Sequence, residues 1–378
     1  MSKLEKLIKE LCPDGVEHKR LEEVISYEQP TKYIVKSTQY NDDFSIPVLT
    51  AGASFVLGYT NEDLGIYEAT KENPVIIFDD FTTSFHWVDF SFKVKSSAMK
   101  MLAAKDESIA TLRYLYFVMK SILFEPSQHA RHWIQIYSKF HVPIPPLSVQ
   151  QEIVRILDKF TSLETELEAE LEARRKQYEY YRDELLTFGD DVDRKPLGEI
   201  LVRTKGTKIT AHEMKQLHKE KGNVRIFAGG ETFADVDFDD IPSKDIHFKT
   251  SIIVKSRGNI GFEYYGQAFS HKNEFWSYHS ENSNVNIKFV YYYLVKNLSY
   301  FQHIANNMQM PQISIPITNK YQIPVPPIAE QERIVAILDR FDALVNDITK
   351  GLPAEIEARR KQYEHYRDKL LTFKEKIS

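Results

Sequence analysis

The seventeen residues 172–188, EARRKQYEYYRDELLTF, return at 357–373 as EARRKQYEHYRDKLLTF, with fifteen positions identical. Only Tyr180/His365 and Glu184/Lys369 differ. Each copy closes a helical pattern that starts after a proline-rich turn, VPIPPL at 142–147 and IPVPPI at 323–328. The segments ahead of those turns also open alike, with VEHKRLEEVI at 16–25 and VDRKPLGEIL at 192–201, where Val16, Lys19, Leu21 and Glu23 match Val192, Lys195, Leu197 and Glu199. A chain with such joints is expected to fold as two modules related by an internal pseudo-two-fold.

The joints are long. Residues 148–188 contain neither Gly nor Pro, enough for a helix of about 60 Å. Ile153, Leu157, Phe160, Glu164, Leu167, Leu171, Arg174, Tyr178, Tyr181 and Leu185 alternate by four and three, the spacing of a coiled-coil seam. Ser148, with Gln151 three residues on, is expected to cap the helix; in the second arm Ala329 replaces it. The second seam runs Ile334, Leu338, Phe341, Val345, Ile348, Leu352, Ile356, Arg359, Tyr363, Tyr366 and Leu370. It carries four extra residues, the size of a stutter, and Gly351 and Pro353 stand there, so a kink or break is predicted. Paired seams would run antiparallel.

Between the joints the sequence alternates short strand-like runs with turns, which gives an α+β class. Residues 2–11 form a short amphipathic helix stopped by Pro13-Asp14-Gly15. In module one the strand-like runs are 46–50, 75–78 and 85–95, followed by a buried helix within 109–123 and a strand-like WIQIY at 133–137. In module two VRIFAGG (224–230) stands where IPVLTAG stood, and 251–265 stands where 75–90 stood. The division by motif is 1–141 for an N-terminal helix and module one, 142–188 for a proline turn and central helix, 189–322 for module two, and 323–378 for a second proline turn and distal helix.

Composition narrows the function. The single cysteine, Cys12, excludes an internal disulfide and a Cys-based zinc cluster. No signal-like or membrane-spanning run is present, so a cytoplasmic location is expected. The net charge is −5, and no segment is strongly basic, so DNA binding would need local patches or a partner that supplies positive charge. No Gly-rich phosphate loop, dinucleotide fingerprint or Asn/Asp-Pro-Pro-aromatic methyltransferase motif occurs. Asp79-Asp80 and Asp239-Asp240 lack a Glu-x-Lys companion and read as turn acids. His129 and His132 lack a third metal ligand. No metal site and no catalytic constellation is predicted.

The pattern PxPPLxxQ followed by IVxILDxF, present twice with a matching opening before each module, resembles the specificity subunit of type I restriction–modification systems. Its positions are Pro143, Pro145, Pro146, Leu147, Gln150, Ile153, Leu157 and Phe160, then Pro324, Pro326, Pro327, Ile328, Gln331, Ile334, Leu338 and Phe341. The resemblance implies two target recognition domains, each reading half of a split site on double-stranded DNA. The helices would set the unread spacer and dock two methyltransferase subunits, which restriction/translocase subunits then join. It implies no cofactor on this chain, since the partners would use S-adenosylmethionine, ATP and Mg. A nuclease or methyltransferase in its own right, or a coiled-coil scaffold with protein-binding heads, are the alternatives.

Base edges are read by hydrogen-bonding side chains on loops beside a rigid scaffold. In module one the candidates are Thr82, Thr83, Ser84 and His86, with a second cluster of Gln128, Arg131, His132 and Gln135. In module two they are Lys255, Ser256, Arg257 and Asn259, then Asn306, Asn307, Gln309 and Gln312. Lys205, Lys208 and Lys215 are candidates for phosphate contacts.

Overall fold

The computed structural model describes residues 2–376 except 53, 127–130, 230–231, 306–310 and 348. It divides into two compact units, residues 1–167 with 356–378, and residues 168–355. Each unit therefore combines one module with helix from both arms.

Unit one opens with α1 (Lys3–Leu11), capped by Ser2 in a capping box with Glu5. There follow β1 (Glu17–Arg20), α2 (Leu21–Val24), β2 (Ile25–Glu28), β3 (Ile46–Leu49), β4 (Val56–Thr60), β5 (Val75–Asp79), β6 (Phe85–Val88), β7 (Lys93–Val94), β8 (Met99–Ala104), α3 (Leu112–Ser121), α4 (His132–Gln135) and β9 (His141–Ile144). Three sheets form: β1-β9, β2-β8-β5-β6 and β4-β3-β7. Strand β5 is apolar at every position from Val75 to Phe78 because both its faces are covered. Ile76 and Phe78 join the core beneath α3, whereas Val75 and Ile77 join the core shared with the three-stranded sheet. That is the two-residue period of a strand buried on both sides.

The strand expected at 133–137 is absent, and this segment is helical. Trp133 and Tyr137, four apart, stack with centroids 6.0 Å apart and both meet Phe78. Four-residue spacing suits one helix face and not the alternation of a strand.

Unit two repeats the plan with β10 (Arg194–Pro196), α6 (Leu197–Ile200), β11 (Val202–Lys205), α7 (Ala211–Leu217), β12 (Val224–Phe227), β13 (Phe233–Val236), β14 (Ser251–Lys255), β15 (Gly261–Tyr265), β16 (Phe269–His271), β17 (Trp276–His279), α8 (Ile287–Lys296), α9 (Leu298–Ala305), α10 (Ile315–Lys320) and β18 (Gln322–Pro324). Its sheets, β10-β18, β11-β17-β14-β15 and β13-β12-β16, match those of unit one strand for strand. The senses match too, since β3 is antiparallel to β4 and parallel to β7, as β12 is to β13 and β16. The internal repeat predicted from the joints is thus present in the modules, whose sequences barely show it.

The first arm, α5, is continuous from Leu147 to Leu185. Its seam positions from Phe160 to Arg174 are half-buried while most of their neighbours are exposed. The second arm is broken into α11 (Ile328–Val345) and α12 (Leu352–Leu371). At the break a Cβ on Gly351 would lie 2.6 Å from the carbonyl oxygens of Ala343 and Leu344, so only glycine fits. Pro353 falls in the first turn of α12, where no helix hydrogen bond is lost. The expected seam residue Ile348 lies outside the described residues.

Within unit one, α12 runs antiparallel to the first half of α5: Phe160 stacks on Tyr366 at 5.5 Å, and Arg360 Nε donates to Glu164 Oε1 at 2.6 Å. Tyr363 and Leu370 pack on the same core as Ile153 and Leu157. Within unit two, the second half of α5 meets α11, where Tyr178 and Tyr181 approach Phe341 at 6.4 and 5.6 Å. Leu185, Ile334 and Leu338 share that core, and Val345 is fully buried near the end of α11. Leu167 and Leu171 are half-buried on either side of the unit boundary.

The expected cap at Ser148 is not formed. Ser148 and Ala329 lie inside the helices, which start at Leu147 and Ile328, and Pro146 and Pro327 supply the first helical carbonyls. A proline fixes its own φ near the value needed and offers no N–H to satisfy. Among the described residues no helix is long and apolar enough to cross a membrane.

Candidate nucleic-acid interface

Each proline turn ends in a buried glutamine that ties arm to module. Gln150 Nε2 donates to the carbonyls of Pro145 and Ile109, both at 2.8 Å, and its Oε1 accepts from Thr111 N at 3.1 Å. Thr111 is the N-cap of α3. Gln331 repeats this: Nε2 donates to Pro326 O (2.8 Å) and Asn284 O (2.9 Å), and Oε1 accepts from Asn286 N (2.8 Å), the N-cap of α8. Both side chains are at most 1% exposed. A buried amide that satisfies three backbone groups at once fixes position sharply, since losing it orphans all three. The glutamines were legible as part of the repeated motif, but their role was not.

Each four-stranded sheet carries the loop that could meet DNA. In module one this is the β5–β6 hairpin. Asp79 Oδ1 accepts from the amides of Phe81 and Thr82, both at 2.8 Å, and Asp79 N donates to Ser84 O at 2.9 Å. Thr83 closes the turn at φ 57°. Thr82 and Ser84 hydroxyls bond each other, Thr82 is exposed, and Thr83 and Ser84 are half-buried. Phe81, beside them, is 42% exposed. It was not among the predicted readers, because a lone aromatic between the acids Asp79-Asp80 and the hydroxyls Thr82-Thr83 carries no signal of its own. His86 sits on the inner side: its Nε2 lies 3.1 Å from Gly52 O, its ring stacks on Phe55, and burial pushes its pKa down.

In module two the matching hairpin joins β14 and β15. Gly258, at φ 72°, is left-handed in this turn as Thr83 is in the other, and Arg257 and Asn259 flank it, all exposed. The guanidinium of Arg257 makes no hydrogen bond or ion pair among the described residues. The root of each hairpin is bound to the second predicted cluster. His132 N donates to Asp80 O at 2.8 Å, whereas Ile313 N donates to Ser256 O at 3.0 Å and Gly258 N to Pro311 O at 2.9 Å. Arg257 and Gln312 are bridge partners. The structure so places the backbone at His132 in module one, and at Pro311–Ile313 in module two, beside the hairpin root.

Three predicted readers instead hold the fold. His132 is fully buried and packs edge-on against Phe124. Ser256 is 1% exposed and donates to Glu274 O at 2.6 Å. Lys255 is paired with Glu263 at 2.9 Å across the hairpin strands. Lys255 and Ser256 lie at the end of β14 rather than at the tip, where a one-residue step reverses the side chain's direction, and His132 opens α4 with its backbone bound to the hairpin root. Arg131 and Gln135 are exposed at the ends of α4. Gln128, Asn306, Asn307 and Gln309 lie outside the described residues.

Lys205 is exposed at the end of β11. It pairs in register with Trp276, which pairs with Val254, so Lys205 stands at the same end of the sheet as the Arg257 hairpin. Lys208 is exposed three residues on. Lys215 is exposed on α7, which belongs with the edge strand β13. At the matching end of module one stand Gln29 and Glu28, the latter paired with Lys32 at 2.7 Å.

The family model for the type I restriction modification DNA specificity domain matches twice, over residues 13–174 and 189–358. The chain is 43% identical over 401 aligned residues to the specificity subunit of the type I restriction enzymes EcoR124I/EcoR124II of Escherichia coli, covering 99% of this chain and 97% of that one. A putative type I specificity subunit of Haemophilus influenzae is 29% identical, with 98% of each chain covered. The crystal structure of the type I S subunit from M. genitalium has the same fold, with a TM-score of 0.61 at 16% identity over 94% of this chain and 96% of that one. The chain belongs to the family of type I restriction–modification specificity subunits.

Proposed function

We propose that this chain is the DNA-recognition subunit of a type I restriction–modification complex, in which each module reads one half of a bipartite target. The observation that carries this reading is the pair of hairpins. Two modules of one topology present different side chains at the same exposed turn: Phe81 and Thr82 in one, Arg257, Gly258 and Asn259 in the other. A guanidinium at a tip suits the two acceptors of guanine in the major groove, whereas hydroxyls and an aromatic edge suit an A·T pair with its methyl group. Lys205 and Lys208 would add phosphate contacts. The arms would set the unread gap and dock methyltransferase subunits, which restriction subunits join. Methyl transfer from S-adenosylmethionine and Mg- and ATP-dependent cleavage would be the partners' chemistry, and this chain would bind none of those cofactors.

Long-read methylome sequencing of cells that express the chain with its methyltransferase partner tests this. The expected result is one bipartite motif with a fixed gap. A continuous motif, or none, would overturn the reading. Arg257→Ala is expected to relax one position in one half only, by roughly tenfold or more, as loss of a bidentate base contact does.

A further inference from the structure

A second contact ties each module to its arm, and it reaches the hairpin. In unit one Arg113, on α3, places both Nε and Nη2 on Asp158 Oδ1 of α5, at 2.8 and 2.7 Å. Its guanidinium also lies over three rings, Trp87 at 4.6 Å, Phe117 at 4.9 Å and Tyr116 at 5.1 Å. Trp87 belongs to β6, the outgoing strand of the hairpin, three residues after Ser84. In unit two Lys288, on α8, pairs with Asp339 of α11 at 2.8 Å and lies over Tyr264 at 5.3 Å and Tyr292 at 6.0 Å. Tyr264 is on β15, the outgoing strand there, and Tyr292 OH donates to the same carboxylate oxygen at 2.6 Å.

These are register equivalents. Arg113 and Lys288 each follow the N-cap by two residues, and Asp158 and Asp339 each follow the buried glutamine by eight. Trp87 faces Ile76 as Tyr264 faces Ile252. All four charged side chains are 25–42% exposed, and ion pairs of that exposure contribute little to global stability. Stability alone therefore does not account for two diverged modules both keeping a cation between an arm carboxylate and an aromatic ring of the hairpin strand.

We propose that Arg113–Asp158 and Lys288–Asp339 are positioning clasps that fix the angle at which each hairpin is held against its arm, and so set how strictly that module's half-site is read. The inference rests on the reading of each module as a half-site reader. A hairpin held at one end by its sheet can tilt at its tip; a cation held between the strand's ring and the arm removes that freedom.

The test uses the full chain assembled with its methyltransferase subunits, and duplexes carrying one mismatch in either half. The quantity read is the ratio of methylation rates, matched over mismatched, for each half separately. Asp158→Asn is expected to lower that ratio at least tenfold for the half read by module one and to leave the other half unchanged; Asp339→Asn should do the reverse. Arg113→Lys, which copies the clasp of unit two, should keep most of the discrimination that Arg113→Met loses. Ratios within twofold of the parent in both aspartate variants would overturn the proposal, as would a loss shared equally by both halves. Should either aspartate variant fail to assemble, the arginine pair decides, and equal behaviour of Arg113→Lys and Arg113→Met overturns the clasp. A parent complex that ignores one half of the duplex would instead defeat the two-half reading itself.

Discussion

The interiors of the two modules solve one packing problem in different ways, while their joints solve another in the same way. At the root of the module-one hairpin Asp80 and Lys100, each about 1% exposed, form an ion pair of 2.9 Å. Asp80 Oδ1 also accepts from Trp133 N at 2.9 Å. The register places Trp276 where Lys100 stands and Ser256 where Asp80 stands. Module two thus buries an indole and a hydroxyl in place of two charges. What both keep is the backbone bond from the returning chain, to Asp80 O or Ser256 O. The glutamine clamps, by contrast, agree bond for bond. The path of the backbone around the hairpin constrains the interior, but the atoms themselves constrain the joint.

The largest expected effect breaks this comparison directly. Asp80→Ala strands the Lys100 ammonium in the core and should cost about 3–5 kcal/mol. Ser256→Ala removes one neutral hydrogen bond and should cost about 1 kcal/mol. Amide exchange measured module by module in the intact chain separates the two. Similar losses in both would show that the buried charges are not what distinguishes the interiors. Replacing both partners, Asp80→Ser with Lys100→Met, should recover most of the loss, because no uncompensated charge remains.

A smaller and more even effect is expected at the joints. Gln150→Ala and Gln331→Ala each orphan three backbone groups, at about 2–3 kcal/mol. Since the two networks coincide, the losses should agree to about 1 kcal/mol. A clear inequality, again by exchange in α3 and α8, would mean that the clamps differ in strength despite equal geometry.

The sequence made the joints legible because coiled-coil spacing, proline turns and a near-perfect repeat are local signals. The break near Gly351 was legible for the same reason, from four extra residues next to a glycine and a proline. The correspondence of β12 with β3 and of β14 with β5 showed in the order of apolar runs. What escaped was whatever depended on direction across a sheet. Ser256 and Lys255 were grouped with Arg257 by adjacency, yet consecutive strand residues face opposite ways. His132 looked like part of a polar loop, but its backbone N–H belongs to Asp80, distant in sequence. The Arg113 and Lys288 clasps were missed because their meaning lies in pairings that no local pattern encodes.

The turn itself offers a finer contrast. Thr83 and Gly258 are each left-handed in their turns, three residues after Asp80 and two after Ser256, a conformation that costs a β-branched residue and not a glycine. Thr83→Gly should therefore gain about 0.5 kcal/mol, after the extra freedom glycine has when unfolded. Gly258→Ala should lose about 1 kcal/mol, through φ alone, since its Cβ would meet nothing within 4 Å. Denaturant titration of the two variants reads both signs, and matching signs would mean that the turns are not equivalent.

The smallest effect separates the units at their edges. Glu152 of α5 pairs with Arg155 at 2.6 Å and with Lys3 of α1 at 2.8 Å. Its hydrogen bond from Arg155, then that from Lys3, hold its pKa down to about 2. The register places Arg333 there in unit two, paired instead with Glu330 at 2.7 Å. A carboxylate with a lowered folded pKa binds fewer protons when folded, so its contribution is complete above the unfolded value near 4.5 and fades as the pH falls toward 2. The exposed Lys3 and Arg155 partners keep that contribution small. Amide protection in α1 should thus decline between pH 4.5 and 2 in the parent and be lower and flatter in Glu152→Gln. Identical profiles would show that α1 is held by Leu4, Leu7 and Ile8 against the core and owes nothing to the ion pair.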